Sequence, residues 1–391
     1  MPSAVFCGPM TLHFTPEEYA ARQAQARAAL QVAGLDALLM FAPESHYWIS
    51  GYDTFGFAMF QCMVLTARGE LHLLTRTPDL RQAQLTSTLS DDEIHIWQDV
   101  EGADPATDLA RLAATLGLAG QIGYEGDTVG LTERNGRALH RAMPGLVDAS
   151  DIIRTLRRVK SPAEIAMHRR AAHLSDDALD QAIALARPGA FEGDILAAMQ
   201  GAVFRGGGDY AGNEFIIGSG PRALLCRYFS GRRHLDAHDQ LTLEWSGAFA
   251  RYHAAMMRTI LVGTASDHHR RMHKAAEEAL EACEAAILPG RPMGDVFDAH
   301  ARVFDAHGFA HARLRACGYG MGAVFNPIWV DFPMFYQGNP LVMQAGQVFF
   351  LHMVLMDSDA GQAMTLGHSM LVTPTGVERL SRHGLGLILN D

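Results

Sequence analysis

Apolar and polar residues alternate along this chain in blocks whose periods change from helix to strand and back. Thr15-Pro16-Glu17-Glu18 opens the first block, with Thr as N-cap, Pro at the first helical position and Glu closing a capping box. The helix it predicts runs to about Val32 and stops at Gly34. Leu35 to Phe41 is a short apolar run and reads as a buried strand. Cys62–Leu65 and Leu71–Leu74 read as strands joined by a turn at Arg68-Gly69. Ile94–Trp97, Gln121–Tyr124 and Leu146–Val147 are further short strands, with helices near 105–116 and 131–142. This alternation is an α/β pattern filling roughly residues 1–150.

A second helix start follows at Ser161-Pro162-Ala163-Glu164, and its amphipathic run reaches about Arg187. Another helix is expected from Glu192 to Phe204. Strands are expected at Glu214–Ile217, Gln240–Trp245 and Tyr252–Val262, helices near 267–287 and 293–307, and strands at Val348–Met356 and Met364–Thr373. Here strands and helices are blocked rather than alternating, so the chain as a whole is α+β. The division falls at 1–155 and 156–391.

The length of 391 residues agrees with two domains. Hydrophobic residues make up 48%, enough for a sizeable core. Charged residues are only 19%, which points to surface buried in an oligomer. The net charge of −11 argues against nucleic acid as the partner. No apolar run is long enough to span a bilayer, and Met1 to Leu12 lacks the basic flank of a signal peptide. Five scattered Cys without a CxxC exclude a disulfide scaffold or zinc finger, and a cytoplasmic protein is expected. Gly206–Gly208 lacks the Lys-Ser/Thr of a P-loop, and no nucleotide cofactor is expected.

The chemistry concentrates around Leu243-Glu244-Trp245 and Tyr252-His253. Glu244 lies inside an apolar strand, where a carboxylate is costly unless paired. It is either a structural ion pair, with Arg258 as the partner, or an active-site carboxylate of raised pKa. Trp329 and Asp331 lie in a Pro-interrupted aromatic stretch, read as a loop of either packing or recognition residues. Trp329 would attract a cationic nitrogen. His268, His269 and His273 fall at a polar helix start and read as solvated; the other His residues read as surface or satisfied core positions.

Five motifs in order carry a resemblance: Ser161-Pro162-x-Glu164-Ile165, Ser219-Gly220, Tyr252 to Arg258-Thr259, Gly318-Tyr319-Gly320-Met321-Gly322 and Leu371-Val372-Thr373-x-x-Gly376. Together they resemble the creatinase/proline-aminopeptidase (M24, "pita-bread") family. The first half is similar to the smaller α/β domain of creatinases and prolidases, so the resemblance covers nearly the whole chain. In metallopeptidase members two Asp, one His and two Glu bind two divalent ions. The corresponding positions here are Glu244, Ala255, Tyr319, His352 and Gly367, with His368 beside the last. The resemblance thus implies no dinuclear centre; Glu244, His352 and His368 remain as possible ligands of a single ion. The expectation is no metal and no cofactor.

This pattern looks like the creatinase and ectoine hydrolase branch. It implies a metal-independent hydrolase of a C–N bond in a small amidine, cyclic amidine or amide. Glu244, His352 and His368 would be catalytic. Arg227 stands where the family carries a His, and as a guanidinium it would clamp a carboxylate rather than move protons. Tyr252, His253, Tyr319, Trp329 and Asp331 would bind substrate. Tyr52 and Phe55 would close a partner's site in a homodimer. The alternatives are a metal-dependent Xaa-Pro dipeptidase or aminopeptidase and a catalytically inactive small-molecule binder, with a lyase as a further possibility.

Overall fold

The computed structural model describes residues 12–229 and 231–391. The stretch before Leu12, with Cys7 and the N-terminal segment considered for a signal, lies outside the described residues. The chain forms two compact units, one ending at Arg157 and the other beginning at Arg158.

The first unit contains α1 (Pro16–Ala33), β1 (Ala37–Met40), α2 (Pro43–Ser50), β2 (Cys62–Thr66), β3 (Leu71–Arg76), α3 (Leu80–Thr86), β4 (Ile94–Trp97), α4 (Pro105–Thr115), β5 (Ile122–Tyr124), α5 (Glu133–Ala142), β6 (Val147–Asp148) and α6 (Asp151–Leu156). The N-cap and C-cap of α1 are those the sequence predicts: Thr15 accepts from the Glu18 amide, and Gly34 takes a left-handed φ of 68°; the Glu18 carboxylate does not close a capping box but accepts from Arg22 at 3.0 Å. The strands form one mixed sheet in the order β4-β3-β2-β1-β5-β6. β1 is buried at every position because apolar clusters cover both faces of the sheet. Trp48, Ile49 and Ser50 belong to the helix α2; Pro43 starts that helix, and Gly51 ends it.

The second unit contains α7 (Pro162–Leu185), α8 (Glu192–Arg205), β7 (Ile216–Ser219), β8 (Asp239–Phe249), β9 (Tyr252–Val262), α9 (Asp267–Ala286), α10 (Gly294–Ala306), β10 (Ala316–Gly320), β11 (Asp331–Tyr336), β12 (Val348–Asp357), β13 (Gln362–Thr373), β14 (Gly376–Arg379) and β15 (Ile388–Asn390). The main sheet runs β11-β10-β12-β13-β9-β8-β7, with β14 on β13 and β15 on β9. β8 and β9 are joined by the two residues Ala250 and Arg251, both at positive φ (49° and 64°), the geometry that matches strand twist in a tight hairpin. The aromatic stretch at Asp331 is strand β11, not a loop. Pro333 is tolerated because β11 is the edge strand and a register shift interrupts its pairing with β10.

Strand register decides which side chains meet. Ile216, Glu244, Met257, Gly367 and His352 pair in succession across β7, β8, β9, β13 and β12. The adjacent row is Trp245, Met256, His368 and Leu351. Adjacent rows point to opposite faces. Helices cover the second face: Trp245 donates from Nε1 to the Ser175 carbonyl of α7 at 2.9 Å, and His368 bonds Glu284 of α9 at 2.8 Å. The first face is left to line a cavity.

Candidate active site

The cavity measures about 110 Å³. Glu244, Tyr319, Trp329, His352, Arg227 and Asn213 bring polar atoms to its wall, and Met257, Val354, Ile216 and Leu314 give it an apolar floor. Cys226 also faces it.

Glu244 is held between the edge strand β7 and β9, on a strand whose flanking residues are buried. Trp329 Nε1 donates to the Tyr319 hydroxyl at 2.8 Å, and that hydroxyl donates to Glu244 Oε1 at 3.2 Å. An indole N–H can only donate, so it occupies an acceptor position of Tyr319 and directs the phenolic proton to Glu244. Oε1 is thereby engaged. Burial pushes the Glu244 carboxyl up to about 7, against the opposing pull of the Tyr319 hydrogen bond and the Arg227 charge. Near neutral pH this group is poised between acid and base. It is not paired with Arg258. That guanidinium lies on the neighbouring row, opposite Leu243, and donates to the carbonyls of Met257 and Gly367 at 2.7 and 2.6 Å.

His352 shares the row of Glu244, and its ring centroid lies 5.7 Å from that of Tyr319. Burial lowers its pKa to about 4, so the imidazole is neutral at physiological pH. Its Nδ1 is buried without a hydrogen-bond partner among the described residues. Arg227 reaches the wall from an exposed position and makes no hydrogen bond or ion pair among the described residues. Trp329 is fixed from the other side, its amide donating to Asn213 Oδ1 at 3.1 Å.

Other expected site residues of the second unit are not brought to the cavity. His368 lies on the helix-covered face, where burial lowers its pKa against the pull of Glu284, itself bound by Arg379. Tyr252 donates to Glu164 Oε1 at 2.7 Å. His253 accepts the Gly212 amide on Nε2 and bonds the Arg251 carbonyl through Nδ1, both at 2.8 Å, so both ring nitrogens serve the backbone. Asp331 is buried on β11 and is not among the cavity residues. In the first unit, Tyr52 is buried and accepts from Gln61, whereas Phe55 is 80% exposed. His269, expected on the surface, is buried and bonds Gln240 at 3.0 Å. Cys226 and Asn213 were not singled out from the sequence; the only signal for Cys226 is its place beside Arg227.

The donor set does not fit a dinuclear metal centre. Ala255 offers no ligand atom. At Gly367 a Cβ would sit 2.4 Å from the Leu351 carbonyl oxygen, so a carboxylate side chain does not fit without moving the strand. Among the described residues no group of three or more His, Cys, Asp or Glu side chains is placed to hold a metal ion.

A wide, largely antiparallel sheet with helices on one face, a buried carboxylate on the other and a smaller α/β unit before it in the chain defines a creatinase/prolidase-type hydrolase. Residues 22–159 match the creatinase/prolidase N-terminal domain, and residues 166–374 match metallopeptidase family M24. The chain belongs to family M24. It is 26% identical over 392 residues to the ectoine hydrolase of Halomonas elongata, covering 95% of this chain and 97% of that one. It is 22% identical over 232 residues to the Xaa-Pro dipeptidase of Pyrococcus furiosus, covering 59% of this chain and 65% of that one. The crystal structure of dipeptidase PepE from Mycobacterium ulcerans superposes with a TM-score of 0.84 at 24% identity, covering 96% of this chain and 99% of that one. Among the described residues no helix is long and apolar enough to cross a membrane.

Proposed function

We propose that the protein is a metal-independent hydrolase that cuts a C–N bond in a small amidine, cyclic amidine or amide bearing a carboxylate. The observation that carries this reading is Glu244: a buried carboxyl poised near neutrality, facing a small cavity and fixed by Tyr319 and Trp329. The likeness to an ectoine hydrolase along nearly the whole chain supports the substrate class.

In this reading Glu244 takes a proton from water as the water oxygen bonds to the sp² carbon between the heteroatoms. The same carboxyl returns the proton to nitrogen as the C–N bond breaks. Arg227 pairs with the substrate carboxylate and orients it. The neutral His352 hydrogen-bonds the substrate through a ring nitrogen and leaves the proton with Glu244. His368 takes no part, because the sheet lies between it and the cavity.

The test is a turnover screen of ectoine, creatine, betaines and Xaa-Pro dipeptides on wild type and Glu244→Gln. Turnover of a small amidine or amide that is lost in Glu244→Gln supports the reading. Full turnover by Glu244→Gln on the same substrate contradicts it. A metal-dependent dipeptidase is the second reading, favoured by relatives of that name; it requires turnover of Xaa-Pro dipeptides that depends on added divalent metal.

A further inference from the structure

Arg227 is exposed and makes no hydrogen bond or ion pair among the described residues, so no direct contact of its side chain aims it. Its aim comes from the backbone that carries it. The chain leaves β7 at Ser219, presents Cys226 and Arg227 to the cavity, and comes back beside α8 at Arg232 and Arg233 before β8 begins at Asp239. Both limbs meet one side chain, Glu192, which is fully buried at the start of α8. Its Oε1 accepts the Ser219 amide at 2.8 Å and the Ser219 hydroxyl at 2.6 Å. Its Oε2 accepts the amides of Arg232 at 2.9 Å and Arg233 at 3.0 Å.

A carboxylate in the first turn of a helix is well served by solvent and by the helix's own amides. Glu192 instead turns inward, at a desolvation cost that only several good hydrogen bonds offset. Those bonds go to the two ends of a single segment. Asp239 reinforces the same stems, accepting the amides of Gly220 at 2.9 Å and Asp236 at 2.8 Å and pairing with the Arg233 guanidinium. Between the stems, the Ile217 amide donates to the Tyr228 carbonyl at 2.9 Å, tying the residue after Arg227 to β7. The close approach needs a small residue: a Cβ on Gly231 would already lie 3.0 Å from the Glu192 Cβ.

We infer that Glu192 is a positioning residue that clamps the cavity wall carrying Cys226 and Arg227, so that the guanidinium meets an anionic group in the cavity. This rests on the anion-binding role proposed for Arg227. Glu192 itself touches no substrate.

Cys226 supplies a readout that needs no knowledge of the substrate. Its thiolate displaces iodide from iodoacetate or from iodoacetamide, forming a thioether in each case. Only the first reagent carries a carboxylate for Arg227 to attract. The ratio of the two alkylation rates, measured on the Cys226 peptide by mass spectrometry in the full chain, reports the guanidinium's placement. Alkylation through an unfolded state would pull the ratio toward that of the denatured chain, so the variants are compared where denaturant unfolding shows each to be folded, with the denatured ratio as the reference.

Arg227→Ala is expected to lower the iodoacetate-to-iodoacetamide ratio about fivefold, the worth of one exposed ion pair. Glu192→Gln is expected to lower it nearly as far, because its amide end faces backbone N–H donors and releases one limb. Adding Glu192→Gln to Arg227→Ala is expected to change nothing more. Ser219→Ala removes only the hydroxyl bond and gives a smaller drop in the same direction; it carries the test if Glu192→Gln does not fold. A ratio that falls in Arg227→Ala but stays at the wild-type value in Glu192→Gln, or in Ser219→Ala where Glu192→Gln does not fold, overturns the clamp. A ratio unchanged in Arg227→Ala overturns the anion-binding role of Arg227 instead, and with it the basis of the clamp.

Discussion

His352 and His368 are two imidazoles on neighbouring strands, both buried, both with pKa values lowered by that burial. One lines the cavity beside Tyr319 and Glu244; the other faces α9 and bonds Glu284. The difference is one residue of register. His352 pairs with Gly367, so His368, the next residue along β13, points through the sheet. Burial and residue type therefore do not mark a catalytic His in this sheet. The row does.

The comparison breaks or sharpens under substitution. The largest effect is expected on the cavity-facing row: Glu244→Gln should lower kcat roughly 1000-fold, within the range for loss of a general acid–base group. Tyr319→Phe comes next. It removes a hydrogen bond that holds the Glu244 charge, so turnover at pH 7 should fall roughly tenfold. The Glu244 pKa of about 7 places the rising limb of kcat/KM there, since the base must be deprotonated, and Tyr319→Phe should move that limb to higher pH. A pH–rate profile of both proteins checks this; a limb that stays in place contradicts the hydrogen-bond chain.

The two histidines should then separate by kind of effect. His352→Ala should cost roughly tenfold in kcat/KM with little change in unfolding. His368→Ala should leave kcat/KM within about twofold but lower stability by about 2 kcal/mol, because Glu284 loses a buried donor. Denaturant unfolding and kinetics on both variants test the crossing. A last contrast lies in pH and stability. The folded-state pKa of Glu244 is raised above 4.5, so the stability it contributes is present below pH 4.5 and lost as the pH rises through about 7. Glu244→Gln should therefore unfold at a higher temperature than wild type at pH 8 and not at pH 4.

Much of the fold was legible because its signals are local. Thr15-Pro16 and Ser161-Pro162 cap helices as their residue types dictate, and the span Tyr252–Val262 is the strand observed. β11 was missed because Pro333 reads as a strand breaker until the edge position is known. At the site, Glu244 stood out as a charge in an apolar strand. Tyr252 and His253 stood out equally, but their polar atoms serve Glu164 and the backbone, a fact of tertiary packing. Pattern cannot choose between Gly367 and His368 as the cavity-facing position, since both sit in an unbroken buried strand. Cys226 and Asn213 lie outside the named strands and helices, where side-chain direction has no period to follow.

The claim that this site works through Glu244 rather than through bound metal is tested most directly on one sample. Wild type is purified without chelator, its metal content measured, then treated with excess chelator and assayed on the small amidine or amide it turns over. The account expects less than about 0.1 metal ion per chain and undiminished turnover after chelation, since the family's ligand positions supply too few donors here. Turnover that disappears with chelation and returns on adding a divalent ion would contradict it.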